Sequence, residues 1–309
     1  MDSTKKSSFR MTGWDATTWR DKKLSHHVYQ KQKVAALVAQ PVTGGPTPGR
    51  DQCSSITGVV YDELTPESPT RDWSNSWRSV GLRMGSWNVG TMKGKSSEIA
   101  DELWKRRVDV CALQEMRWKG GSAQFLGAKG RRYKFVWQGG DGNGGVGIMI
   151  KEDLVSSIIE VRRRSDRVIV VVIGVGKVVV RIICVYAPQQ GRTDEEKQDL
   201  YDNVDEEIEL SQKDELLVMC GDFNGHVGVA ADGYEGVHGG YGLGDRNEEG
   251  CRLLELCDAR KLCIMNTHFK RCLSRRSTYR SADIATMIDY IVVRESCRKF
   301  VKNVKVIPG

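Results

Sequence analysis

Leu216-Leu217-Val218-Met219-Cys220-Gly221-Asp222-Phe223-Asn224 runs from five apolar residues through a glycine to an acid, an aromatic ring and an amide. The apolar run has the length of a strand buried on both faces. Its exit carries a carboxylate and an amide out of that strand, to the end where layered α/β folds assemble their sites.

Working outward, the same grammar recurs. Leu82–Trp87 alternates as a strand, Ser96–Arg107 follows as a helix with Ile99, Leu103 and Trp104 on one face, and Val108–Gln114 is a short apolar strand ending in Glu115. That order is a β-α-β unit. Tyr133–Trp137 and Gly145–Ile150 read as strands, and Arg167–Ile173 and Lys177–Tyr186 as a hairpin through Gly174–Gly176. Asp194–Ser211 carries Leu200, Val204 and Ile208 at helical spacing, and Asn247 is placed to cap a helix over Asn247–Lys261. Gly225–Gly250 is a glycine-rich loop, and Met287–Val293 and Val301–Ile307 are closing strands. The pattern predicts a two-sheet α/β sandwich over residues 81–309. Residues 1–80 hold five of the seven prolines and little periodicity, and are expected to be a mostly disordered leader.

Gly140, Gly142 and Gly145 match the spacing of a dinucleotide fingerprint, but Val146–Ile150 behind them reads as a strand where that motif needs a helix. The glycines are therefore a loop. Nine cysteines without a C-x-x-C pair argue against a structural zinc site and for a reducing compartment, nucleus or cytoplasm. No apolar run approaches the ~18 residues a membrane helix needs, and the amino terminus has no apolar signal core. Charge is uneven. Residues 260–309 hold 12 Lys/Arg against 3 Asp/Glu, and residues 192–215 hold 11 acids against 3 bases. A basic patch attracts polyanions, and DNA is the expected partner of a monomer.

The polar residues at strand ends carry the chemistry. Asn88, Glu115, Tyr186, Asp222 with Asn224, and Asp289 each stand at the end or start of an expected strand. Three carboxylates, two amides and a phenol on one rim form the oxygen-rich set that a hard cation takes. Mg²⁺ uses one or two carboxylates and completes its shell with water and substrate oxygens, which suits phosphoester hydrolysis.

Six ordered segments resemble the endonuclease/exonuclease/phosphatase family: Ser86-Trp87-Asn88, Leu113-Gln114-Glu115, Val185-Tyr186-Ala187-Pro188, Gly221-Asp222-Phe223-Asn224, Ser277-Thr278-Tyr279 and Ile288-Asp289-Tyr290. Residues 233–242, Arg246-Asn247-Glu248-Glu249-Gly250 and Met265-Asn266-Thr267-His268-Phe269 are similar to the endonuclease domains of LINE-type retrotransposons and to craniofacial development protein 2-like proteins. The resemblance implies that Glu115, Asn88 and Asp289 hold Mg²⁺ (or Mn²⁺), Asp289 through water. It implies that Asp222 activates the attacking water and that Asn224, Tyr186 and Asn88 bind the phosphate. Arg271, Arg275, Arg276 and Arg280 are expected phosphate contacts.

The family supplies a histidine from a last strand, and no histidine here (His26, His27, His226, His238, His268) stands after the Asp289-Tyr290 strand. The resemblance therefore implies a sandwich lacking its last strand, with an open sheet edge and weakened hydrolysis. Three functions stay open: a DNA endonuclease of retrotransposon origin, a phosphatase of the same fold, and a domesticated nucleic-acid-binding remnant that no longer cuts.

Overall fold

The computed structural model describes residues 81–308 except 282–283, together with the backbone of 34–36 and 55–60. In chain order the sheet strands and helices are β1 (Val34–Ala36), β2 (Ser55–Val60), β3 (Arg83–Asn88), α1 (Ser96–Lys105), β4 (Val110–Gln114), β5 (Gly120–Leu126), β6 (Tyr133–Gly139), β7 (Val146–Lys151), β8 (Ile158–Ser165), β9 (Val168–Val175), β10 (Val178–Tyr186) and α2 (Asp194–Glu209). There follow β11 (Leu216–Asp222), β12 (Val227–Gly228), β13 (Leu243–Arg246), α3 (Glu248–Ala259), β14 (Leu262–Ile264), β15 (Tyr279–Ser281), β16 (Ile284–Thr286), β17 (Asp289–Arg294) and β18 (Asn303–Pro308).

Two sheets carry the fold. The first runs β18-β2-β1-β3-β4-β7-β6-β5, with β2 also paired to β3; the second runs β14-β17-β11-β10-β9-β8. The first contains the parallel pairs β1–β2 and β3–β4, and the second the parallel pair β10–β11. A parallel pair needs a crossover, and α1 supplies it for β3–β4 and α2 for β10–β11. The sheets face each other across a core that includes Val110, Ile148 and Val136 from the first and Ile182, Val218 and Ile291 from the second. Ile99 and Leu103 of α1 cover the outer face of the first sheet. Leu200, Val204 and Ile208 of α2 and Leu253, Leu254 and Cys257 of α3 cover that of the second. Strands covered on both faces are largely apolar, as in β11, where every residue is buried and the one charge, Asp222, stands at the end.

Local chemistry fixes the helix starts. Thr193 accepts from the Glu196 N–H while the Glu196 side chain accepts from the Thr193 N–H, a reciprocal cap on the acidic first turn of α2. Asn247 caps α3 through the Gly250 N–H, as its sequence predicts. In β11, Gly221 is required by close approach, since a Cβ there would lie 1.8 Å from the Val185 carbonyl oxygen.

Several strands lie where the sequence pattern predicts none, among them β5, β8 and β14, with β12 and β13 inside the expected glycine-rich loop. β5 and β8 are sheet edges whose residues are mostly exposed or half-buried, so the alternation that reveals a strand is missing; β14 has only three residues. β2 lies within the span expected to be a leader. β2 runs antiparallel to β3 on one side, from Thr57 opposite Ser86 to Val60 opposite Arg83, and to β18 on the other. Unpaired backbone groups at a sheet edge bind any compatible strand, and part of the leader meets that need. The rest of residues 1–80, on which the expectation of a disordered leader falls, lies outside the described residues.

Candidate active site

The rim is set by strand register. Tyr186, Asp222 and Asp289 are neighbours across β10, β11 and β17, Tyr186 opposite Asp222 and Asp222 opposite Asp289. In the other sheet Asn88 ends β3 opposite Gln114, the last residue of β4, so Glu115 leaves the adjacent strand at the same end. At the rim a hydrogen bond joins the two sheets: Asn88 Nδ2 donates to Asp222 Oδ2 at 2.9 Å. The six strand-end residues thus reach one rim, while Arg271 and Arg276 bond Asn303 and the Gly242 carbonyl instead.

Asp222 is 2% exposed and its Oδ1 accepts the Asn224 N–H at 2.9 Å. That short bond curls the chain into the left-handed region at Asn224, φ 49°, which asparagine tolerates better than most residues. Asn224 Nδ2 then donates to the Ala187 carbonyl at 2.8 Å, locking the amide beside the end of β10. The turn behind it is held by Tyr290, whose hydroxyl donates towards the carbonyls of Met287 and Gly225 and accepts the Val227 N–H.

Glu115 also has a left-handed backbone, φ 55°, and is 4% exposed. Its Oε1 pairs with the Arg117 guanidinium at 2.5 Å. The phenol of Tyr186 accepts from Gln189 Nε2 at 3.4 Å, and the Arg167 guanidinium lies over its ring, 5.4 Å from the centroid. Asp289 is 2% exposed. Its N–H donates to Thr278 Oγ1 and its carbonyl accepts from Asn266 Nδ2, so both neighbours fix the start of β17. Gln114, fully buried, donates to Ser86 Oγ and Cys184 Sγ and ties the two sheets behind Asn88.

Asn266, Thr278, Gln114 and Arg117 were not assigned roles from the sequence. A polar residue at the end of an apolar run is the signal that marks Gln114. Arg117 carries no such mark, because it meets Glu115 only through the left-handed turns at both residues. His226, His238 and His268 belong to the loops: the His226 N–H donates to Asn247, and the rings of His238 and His268 bond the carbonyls of Gly228 and Val237. His26 and His27 lie outside the described residues.

Three nearly buried carboxylates and an amide on one rim are a donor set of hard oxygens, which fits Mg²⁺ better than a soft metal. Among the described residues no group of three or more His, Cys, Asp or Glu side chains is arranged to hold a metal ion by itself.

Residues 85–305 match the profile of the endonuclease/exonuclease/phosphatase family, a span that holds all six rim residues. The chain belongs to the endonuclease/exonuclease/phosphatase family. Craniofacial development protein 2 of Bos taurus is 30% identical over 229 residues, 73% of this chain and 38% of the bovine protein. The protein of that name from Tragulus javanicus is 28% identical over 229 residues, 73% of this chain and 39% of its own length. The chain thus spans well under half the length of these curated relatives. A Neisseria 3′ phosphatase solved with a product DNA hairpin shares the fold at a TM-score of 0.51 and 19% identity, covering 71% of this chain and 89% of that one. An AP endonuclease from Archaeoglobus fulgidus does so at 0.50 and 17%, covering 71% and 88%. Family and fold give the chain the architecture of a phosphodiesterase-type hydrolase. No helix among the described residues is long and apolar enough to cross a membrane.

Proposed function

We propose that the chain is a Mg²⁺-dependent phosphodiesterase that cuts DNA internally. The observation that carries this reading is the Asn88–Asp222 bond, which brings the amide of one sheet against the acid of the other at the strand-end rim. The likeness of its motifs to LINE-type endonuclease domains supplies the DNA substrate and a retrotransposon origin, and the DNA-bound fold relative agrees with that substrate.

Each residue has a task that its surroundings support. Asp222, fixed by two donors, orients the attacking water and takes its proton. Asn224, held in place by Ala187, keeps a second amide N–H to donate to a phosphate oxygen, and the Tyr186 hydroxyl donates beside it. Glu115 and Asn88 would hold Mg²⁺ (Mn²⁺ in its place), with Asp289 reaching it through water. The ion when bound withdraws charge from the phosphate and acidifies water. Arg117, paired with Glu115, stands ready to take the negative charge of the substrate.

The test is nicking of supercoiled plasmid by the full chain in Mg²⁺, against the same chain in EDTA and an Asp222→Ala variant. Nicking is expected only in the first. Hydrolysis of a soluble phosphomonoester with intact plasmid would reassign the chain as a phosphatase. Plasmid binding without cleavage would make it a nucleic-acid-binding remnant.

A further inference from the structure

A pocket of about 620 Å³ opens beside the rim, a size that suits a nucleotide. Its wall carries Lys93, Arg117, Lys119, Trp118, Trp137 and Asp141. Three cations against one carboxylate favour a phosphate-bearing ligand. The aromatic wall is already assembled: Trp137 stacks on Phe135 at 5.3 Å and 18°, and Trp118 meets Trp137 edge-on at 5.1 Å. Trp137 is 8% exposed and belongs to the core cluster beneath the first sheet, so the aromatic wall is seated on the core.

The pocket is joined to the rim at two points. Arg117 lines it and pairs with Glu115 at 2.5 Å. Asp141 and Gly144 share one loop; the Arg117 N–H donates to the Gly144 carbonyl at 2.8 Å, and a Cβ at Gly144 would lie 3.4 Å from the Tyr186 ring. A ligand here therefore lies next to the rim, one residue removed from Glu115 and from Tyr186. Asp141 is oriented, since Asn143 donates to it from N at 2.8 Å and from Nδ2 at 2.7 Å. These bonds hold its carboxyl below the ordinary range, and a carboxylate keeps further lone pairs for a base edge.

We propose that this pocket is a subsite for the nucleotide next to the scissile phosphate. Lys93 and Lys119 take its phosphate, Trp118 stacks its base, and Asp141 accepts from an exocyclic amine, which favours cytosine over thymine. The inference rests on the nuclease reading above but concerns binding, so it is tested without cleavage.

The measurement is fluorescence anisotropy of end-labelled single-stranded hexamers in EDTA: oligo-deoxycytidylate, oligo-deoxythymidylate and a hexamer of abasic residues. The wild-type chain is expected to bind cytidylate most tightly and the abasic strand least. Trp118→Leu, which keeps an apolar group against Phe135, should weaken the cytidylate hexamer roughly tenfold and leave the abasic strand unchanged. Asp141→Ala, a change on an exposed loop, should erase the preference for cytidylate over thymidylate. The Lys93→Glu, Lys119→Glu pair should weaken all three strands and flatten their salt dependence. Equal loss of base-bearing and abasic strands in Trp118→Leu overturns the subsite, as does binding of poly-glutamate as tight as that of cytidylate. These shifts in a chain that nicks no plasmid would leave the subsite standing and remove the nuclease reading. Nicking without the shifts would do the reverse.

Discussion

Asn224 separates backbone geometry from chemistry, because glycine can reproduce the first and not the second. Its φ of 49° disfavours alanine by about 1 kcal/mol. Loss of the 2.8 Å bond from Nδ2 to the Ala187 carbonyl removes about another 1 kcal/mol. Asn224→Ala is therefore expected to lower stability by about 2 kcal/mol. Asn224→Gly regains the left-handed backbone but adds freedom to the unfolded chain, and should fall by about 1.5 kcal/mol. Urea titration followed by tryptophan fluorescence reads both. If the amide donates to the phosphate, nicking should drop by about 10²–10³ in the two variants alike, since neither has the donor. Plasmid nicking by equal amounts of folded protein decides it. An Asn224→Gly chain within tenfold of wild type would refute a phosphate-binding role and leave Asn224 as a turn former.

The buried His238 gives a pH prediction. Gly240 N–H donates to its Nδ1, so Nε2 carries the proton shared with the Gly228 carbonyl, and both ring positions are used by the neutral form. Burial pushes its pKa down from 6.5 to about 4. The unfolded chain therefore binds that proton more readily, and the stability it lends is full above about pH 6.5 and falls as pH drops towards 4. Between pH 7 and 5 this amounts to about 2 kcal/mol, and His238→Gln should flatten the urea midpoint over that window; an unchanged slope would rule it out. Thr193→Ala breaks the reciprocal cap of α2 and should cost about 1 kcal/mol, lowering Tm by about 2–4 °C in a thermal melt with no change in nicking.

The sequence was legible where burial imposes a pattern. β11 and the β9–β10 hairpin are apolar because sheets and helices cover them, and α2 shows its stripe because one face alone is covered. It was illegible at the edges: β5 and β8 show no alternation because neither face is consistently dry. The place of β2 depends on β3 and β18, segments more than twenty residues away, and no local pattern encodes it. The rim residues could be named because each is a polar interruption at the end of an apolar strand. Their supports Thr278 and Asn266 act through bonds to the Asp289 backbone, and spacing along the chain gives no hint of those.

The bond between Asn88 and Asp222 joins residues 134 positions apart, one from each sheet. A chain with only one sheet formed holds either the amide and Glu115 or the acid, Asn224, Tyr186 and Asp289, and under the proposed function neither half can catalyse alone. Catalytic competence is thus a logical conjunction of two folding events. An intermediate with one finished sheet would be silent towards DNA, and the onset of nicking during refolding would time the moment at which the sheets dock in register.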